Sequence, residues 1–177
     1  QFEGEEIIAK YELLKAITLG KIEGFEAYKK GINYVALNYP NTDEGKGAQG
    51  LLQTSIPRVE VLTLQDNSIG KSFKLIYMLD RNDRDGSNAL KENIDKALKD
   101  SYKSHLKTSY DFYNRETAFV VVHGFITPET AKNFHLYLEE NKKKYKPVGT
   151  YIIVSTENYK TVQIHKNINE LLVSQSN

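Results

Sequence analysis

Apolar side chains recur every three or four residues through the first forty positions, which predicts two helices joined by a short break at Gly20-Lys21. The second helix is expected to end at Pro40. Gly24 and Gly31 lie inside it. Interior glycine costs up to about 1 kcal/mol relative to alanine, so close packing against a neighbour is the expected reason for both. The apolar side of the first helix consists of Ile7, Ile8, Tyr11, Leu14 and Ile17.

A third segment begins near residue 43, with helical character predicted for Ala48–Thr54 and an interruption or kink at Pro57. The polar, glycine-ended stretch Gln65–Gly70 follows it. We place a domain boundary in this stretch.

The order helix, turn, helix, Tyr-Pro-Asn and new helix is the layout of a tetratricopeptide repeat. Ala16 fills the small-residue position of the first helix, whereas Tyr28 stands where the second helix should carry a small residue. Residues 1–65 are therefore predicted to be a tetratricopeptide-like segment at the degenerate end of a repeat array. A plain helical hairpin is the alternative.

Residues 71–156 contain a near-repeat of strand, helix and strand. In the first half, SFKLIYML and KTSYDFYN flank a helix; in the second, TAFVVVHGF and TYIIVS flank a helix that Thr127 and Pro128 begin. Two such halves predict an α+β fold with a ferredoxin-like βαββαβ domain, whose two helices cover one face of an antiparallel sheet. The tail, 157–177, carries a final amphipathic helix at Asn167–Val173. Before it, two alternatives stay open: a short helix through Tyr159 that Ser155 or Thr156 caps, and a short alternating strand at KTVQIH.

Composition excludes several functional classes. The 177 residues carry 24 Lys and Arg against 23 Asp and Glu, so the net charge of +1 gives no field toward nucleic acid. The absence of cysteine excludes disulfides, thiol nucleophiles and cysteine-ligated metals. No cofactor motif is present. The first residue is Gln, from which we expect a processed product or a piece of a longer protein.

The loop DRNDRDG resembles an EF-hand calcium loop in most positions. With Gly86 in sixth place, Asp83, Asp85 and Glu92 fall at ligand positions, but Arg81 occupies the first, and a guanidinium cannot ligate a cation. These three carboxylates form a weak calcium candidate. The alternative is that Asp85 or Ser87 caps the following helix.

The histidines do not have the spacing of a zinc motif or a catalytic motif. His123 ends an apolar strand and is expected to be a strand-end residue. Ser155, Glu157 and His165 can be assembled on paper into a hydrolytic site, although their spacing does not support it. We therefore predict no catalytic residues and no enzymatic activity.

The strand KTSYDFYN carries the aromatic residues Tyr110, Phe112 and Tyr113. Aromatic residues are common anchors of interfaces, so these three are the candidate partner-binding residues. The alternative is that the tail helix covers them. The third strand does not have the pattern with which such sheets bind RNA.

Degenerate repeats ending in LNYPNT, followed by SFKLIYML, AFVVVHGF and IVSTENYKTVQIHKNINELL, resemble one known family. It is the SprE/PorW tetratricopeptide-repeat lipoproteins of the Bacteroidota type IX secretion and gliding system, in their C-terminal region. The most specific piece is the run S-x-x-N-Y-x-x-x-Q-x-x-K-N, from Ser155 to Asn167.

The resemblance implies a non-enzymatic assembly module in the periplasm, associated with the outer membrane through a lipid anchor upstream of this chain. The implied partners are proteins of the secretion translocon and of the periplasmic ring and motor. The βαββαβ layout also resembles SPOR domains, so a peptidoglycan-binding module is the alternative function. A cryptic or calcium-dependent hydrolase is the third hypothesis.

Overall fold

A computed structural model describes residues 2–103 and 105–176, with side chains placed for 4–103 and 105–173. This part of the chain has the mixed α+β composition predicted. Its helices are α1 Phe2–Glu23, α2 Phe25–Asn38, α3 Asp43–Gln53, α4 Ser55–Glu60, α5 Arg84–Asp100, α6 Pro128–Glu140, α7 Lys142–Tyr145, α8 Thr156–His165 and α9 Ile168–Ser176. Its strands are β1 Phe73–Asp80, β2 Lys107–Phe112, β3 Thr117–Phe125 and β4 Thr150–Ser155.

The chain forms two compact units. The first contains the chain up to Thr63 together with Thr161–Asn167, and the second contains Leu64–Lys160 together with the chain from Ile168 onward. The tail predicted at 157–177 is thus shared between the two units. The stretch KTVQIH is helical, because α8 continues to His165.

In the first unit, the break between α1 and α2 lies at Gly24 and not at the predicted Gly20-Lys21. Gly24 has φ +98°, a left-handed conformation that favours glycine. Gly20 remains inside α1 because it meets α2 closely: a Cβ added there would lie 2.7 Å from the Cβ of Tyr28. Gly24 therefore serves the turn, and it also packs closely as predicted, because a Cβ there would lie 2.8 Å from the Lys166 Cγ.

Gly31 fulfils the close-packing role predicted for it. A Cβ at this position would lie 2.5 Å from the Cβ of Ala16, so α1 and α2 approach each other at these two small residues. Ile32 and Val35 beside Gly31 are fully buried, which contributes roughly 1.5–3 kcal/mol per side chain.

The third helix begins earlier than predicted. α3 starts at Asp43 because Thr42 caps it, with the Thr42 Oγ1 accepting from the backbone N–H of Gly45 at 3.1 Å. The helical path breaks at Thr54, three residues before Pro57. Proline at 57 has no N–H to donate to the carbonyl of Gln53, which agrees with a break at this point.

In the second unit, the four strands pair antiparallel in the order β2-β3-β1-β4. α5 connects β1 to β2, and α6 lies between β3 and β4. One face of the sheet forms a core with both helices, through side chains such as Leu75, Val120, Ile94 and Phe134. Thr127 caps α6 as predicted, accepting from the N–H of Thr130 at 3.2 Å.

The opposite face of the sheet is not open. Ile76, Phe119 and Val121 project from this face, and all three are fully buried. Tyr159 of α8 packs over Phe119, with ring centroids 6.4 Å apart, and Ile168 of α9 is also buried. The first turn of α8 and the last helix therefore cover a face that a four-stranded layer with helices on one side would leave exposed.

Candidate functional site

A row of exposed apolar residues of the first unit lies on α1. Ile7, Tyr11 and Leu14 expose 68, 65 and 62% of their surface, and Ile8 and Ile17 beside them expose 49 and 38%. We call these five residues the α1 stripe. Grouping them on one side of a helix was correct, but within this chain that side faces away from α2.

The side of α1 that meets α2 is built from smaller residues. Ala9 and Ala16 are buried there, and Leu13 packs against the core of the unit. α1 is therefore apolar on two opposite sides, of which one is covered. The large apolar residues at regular spacing lie on the uncovered side, because the close approach at Gly31 selects alanine on the covered side.

A shallow depression of about 270 Å³ lies on the stripe, lined by Tyr11, Leu14, Lys15, Thr18 and Leu19. A second groove of about 410 Å³ runs beside it between α1 and α2, with Ala16 and Gly31 among its lining residues. The surface can therefore accept projecting side chains and is not flat.

Two of the predicted partner-binding aromatics lie together in the second unit. The rings of Tyr110 and Phe112 meet edge to face at 5.5 Å, and Phe112 is 52% exposed. Arg81 stacks over Phe112 at 4.8 Å, and Arg84 over Tyr110 at 5.4 Å. Tyr110 is only half-buried, but its Oη is buried without a hydrogen-bond partner among the described residues. The sequence offered no signal for the arginine contacts, which depend on how β2 lies against the start of α5.

Tyr113, the third predicted aromatic, is 2% exposed. Its ring stacks on Phe119 at 4.7 Å, and its hydroxyl oxygen accepts from the backbone N–H of Ile168 at 3.0 Å. Burial raises the pKa of this hydroxyl. Tyr113 is thus covered by the tail, as the alternative prediction had it, whereas Phe112 remains at the surface.

The candidate calcium loop forms the start of α5. Asp83 caps that helix, with its Oδ1 accepting from the N–H of Gly86 at 2.9 Å; Asp85 and Ser87, the predicted caps, lie within the first turn. Arg81, in the first ligand position, lies over Phe112. Throughout 2–103 and 105–176, no three histidine or acidic side chains are placed to hold a metal together, and this includes the set Asp83, Asp85 and Glu92.

A polar cluster lies at one end of the covered sheet face. His123 of β3 contacts Lys74 of β1 through Nδ1, at 2.9 Å from Nζ, and Ser109 of β2 through Nε2, at 2.7 Å from Oγ. The spacing of these residues in the chain gave no signal, because the strand register brings them together.

The contact between His123 and Ser109 resembles that of a catalytic base with its nucleophile, but the hydrogen bond runs in the opposite direction. An ammonium only donates hydrogen bonds, so Lys74 makes the His123 Nδ1 an acceptor and leaves the proton on Nε2. Nε2–H then donates to Ser109 and cannot take its proton, as a catalytic base must. Burial, followed by the charge of Lys74, lowers the pKa of His123. Burial also lowers the pKa of Lys74.

Tyr159 completes this cluster. Its hydroxyl donates to Asp111 Oδ2, and its ring lies 5.5 Å from the Lys74 Nζ. Hydrogen bonds between three strands and α8 thus fasten the helix onto the sheet, and the arrangement is structural.

The remaining catalytic candidates have other partners. Ser155 accepts at its Oγ from the backbone N–H of Asn158, at 3.2 Å. His165 lies 3.1 Å from the Val59 carbonyl oxygen through Nε2, which therefore donates. Neither contact is that of a hydrolytic site.

In the described part of the chain, no helix combines the length and apolar character needed to cross a bilayer. Comparison with protein-family models, with curated proteins and with solved structures found no match for this chain.

Proposed function

We propose that this chain is a non-enzymatic module for protein–protein assembly. The observation that carries the proposal is the α1 stripe, an exposed row of large apolar residues opposite the covered side of the same helix. A helix that is apolar on two sides is typical of one that packs against neighbours on both.

We interpret α1–α4 as a tetratricopeptide-like segment. The close approach of α1 and α2 at Ala16 and Gly31, and the packing of α2 against α3, support this interpretation. We interpret residues 71–156 as a ferredoxin-like domain, which the strand order β2-β3-β1-β4 and the connections through α5 and α6 support.

With the resemblance to the SprE/PorW lipoproteins, we propose that the module works in the periplasm at the outer membrane. Its partners would be proteins of the type IX secretion translocon and of the periplasmic ring and motor. We propose no chemical step for any residue of the chain. The polarity of the Lys74–His123–Ser109 contacts supports this part of the proposal.

Co-purification of crosslinked cell envelopes tests the function with two matched variants. Leu14→Glu places a charge in the α1 stripe, and Ile126→Glu makes the same change at a residue that is 77% exposed in the second unit. We expect secretion translocon and ring proteins to be recovered with the unchanged chain and with Ile126→Glu, but not with Leu14→Glu.

Recovery of the same proteins with both variants would refute the stripe as the assembly surface. Sedimentation with purified cell-wall sacculi tests the alternative. If the chain co-sediments with sacculi, Leu14→Glu leaves this unchanged and no protein partners are recovered, peptidoglycan binding would replace the proposed function.

A further inference from the structure

We propose that the α1 stripe binds an amphipathic helix whose apolar seam is flanked by acidic residues. This inference rests on the proposed assembly function and adds the chemistry of the partner. It follows from where α1 places its charges around the stripe.

Three exposed lysines lie on either side of the centre of the stripe. Lys10 and Lys21 lie between Leu14 and Ile17 around the helix, and Lys15 lies between Tyr11 and Ile8. At about 100° per residue, all three lie within about 75° of the centre of the stripe. Lys15 is also paired with Glu12 at 3.0 Å within α1, which leaves Lys10 and Lys21 as the main charges beside the centre.

The acidic residues of α1 whose side chains the structure places lie further round the helix. On the same angular scale, Glu5, Glu6, Glu12 and Glu23 lie about 110° or more from the centre of the stripe. A helix bound on the stripe therefore meets lysines on both of its flanks. Glutamates at those flanks would complement them, and lysines would repel them.

The stripe also sets the length of the partner. Ile7 and Ile17 are ten residues apart, which is about 15 Å along a helix. A partner helix of about three turns covers that distance, and one projecting leucine or isoleucine fits the depression between Tyr11 and Leu14. This match favours a helix over an extended peptide, whose side chains alternate between two faces.

A second copy of the chain is a poorer partner. In an antiparallel pair related by a two-fold axis, each flank of α1 faces the same flank of the other copy. In a parallel pair, the Lys15 edge faces the Lys10 and Lys21 edge. Lysines meet lysines in both arrangements, so repulsion opposes self-association.

The test uses the 177-residue chain and two synthetic helical peptides, with fluorescence anisotropy as the measurement. Both peptides carry the same leucine seam; one has glutamate at the flanking positions, and the other has lysine. We expect the glutamate peptide to bind about tenfold more tightly at low salt, because its flanks attract the lysines that the flanks of the other peptide repel. Added salt should reduce this preference.

Two variants distinguish the contribution of the apolar stripe to peptide binding from that of the lysines beside its centre. Lys10→Glu/Lys21→Glu should reverse the preference toward the lysine peptide, and Leu14→Glu should abolish binding of both peptides while Ile126→Glu leaves it intact. Circular dichroism checks that each variant folds.

If the two peptides bind equally well and Leu14→Glu abolishes the binding of both, the acidic-partner inference is overturned and the assembly function stands. A dimer in sedimentation analysis that Leu14→Glu dissociates would overturn it in favour of a second copy. Failure of both peptides to bind would overturn it as well, whereas the assembly function is tested separately by the recovery of envelope partners with Leu14→Glu.

Discussion

Asn158 offers the sharpest test of how the second unit is held together. It lies in the S-x-x-N run that carries the family resemblance, and its side chain is fully buried. Its Oδ1 accepts from the backbone N–H of Gln65 at 2.8 Å, and its Nδ2 donates to the Gln65 carbonyl oxygen at 2.9 Å. One side chain thus fastens the segment that leads into β1.

Replacing Asn158 with alanine removes both hydrogen bonds from a buried site. Each such loss costs about 1–2 kcal/mol, so Asn158→Ala should lower the free energy of unfolding by about 2–4 kcal/mol. For a chain of this length, that corresponds to roughly 5–15 °C in melting temperature. Asn169→Ala, at an exposed asparagine of α9, is the control and should change the melting temperature little.

Asn158→Asp separates the two bonds. A carboxylate still accepts from the Gln65 N–H but cannot donate to its carbonyl oxygen, and burial disfavours the charge. The pKa of the new carboxyl should therefore rise above its unfolded value. Stability relative to the unchanged chain should then be regained as pH falls, because protonation restores a donor.

Urea unfolding of the three variants between pH 7.5 and 4.5 gives these free energies. A loss for Asn158→Ala no larger than that for Asn169→Ala would refute the reasoning. For Asn158→Asp, the loss in free energy of unfolding relative to the unchanged chain should shrink as pH falls. A loss that stays constant would contradict the assigned donor and acceptor.

Three further predictions follow from the packing. Gly31→Ala should destabilise the first unit by about 1–3 kcal/mol in urea melts through its clash with Ala16, whereas Gly47→Ala, which meets no atom within 4 Å, should stabilise it by about 0.5–1 kcal/mol; equal effects would refute the close approach. Burial lowers the pKa of His135, whose Nδ1 lies 2.8 Å from the Tyr77 hydroxyl oxygen, so the unfolded chain protonates first; the contribution of His135 to stability is full above about pH 6.5 and is lost as pH falls toward the lowered pKa. His135→Gln should therefore flatten the stability difference between pH 7.5 and 5.5, and an unchanged difference would contradict this cause. Asp83→Ala should cost about 0.5–2 kcal/mol as a lost helix cap, while the melting temperature of the unchanged chain should be equal in chelator and in millimolar calcium; a rise with calcium would revive the loop as a metal site.

Sequence periodicity was most informative where one side of an element is apolar. The strands and helices of the second unit were found in this way, and the Thr127 cap was identified from its residue type and its position before Pro128. The extent of α8 was ambiguous, because KTVQIH alternates like a strand. The coverage of Tyr113 was left as one of two alternatives, because it depends on where Ile168 of α9 lies against the sheet.

Periodicity was least informative where both sides of a helix are apolar. It grouped Ile7, Tyr11 and Leu14 correctly, but only the contact between Gly31 and Ala16 determines which side of α1 faces α2. The Lys74–His123–Ser109 contacts depend on pairing between strands far apart in sequence. The shift of the α1–α2 break to Gly24 depends on a backbone conformation that glycine permits but does not require.

Photo-crosslinking in cells tests most directly whether the α1 stripe is an assembly surface. A photoreactive amino acid replaces Leu14 in one variant of the full protein and Ile126, which is still more exposed, in another. We expect specific protein crosslinks from position 14, to a helical segment with acidic residues, and none of these from position 126. The absence of crosslinks from position 14, or the same crosslinks from both positions, would contradict the proposed assembly surface.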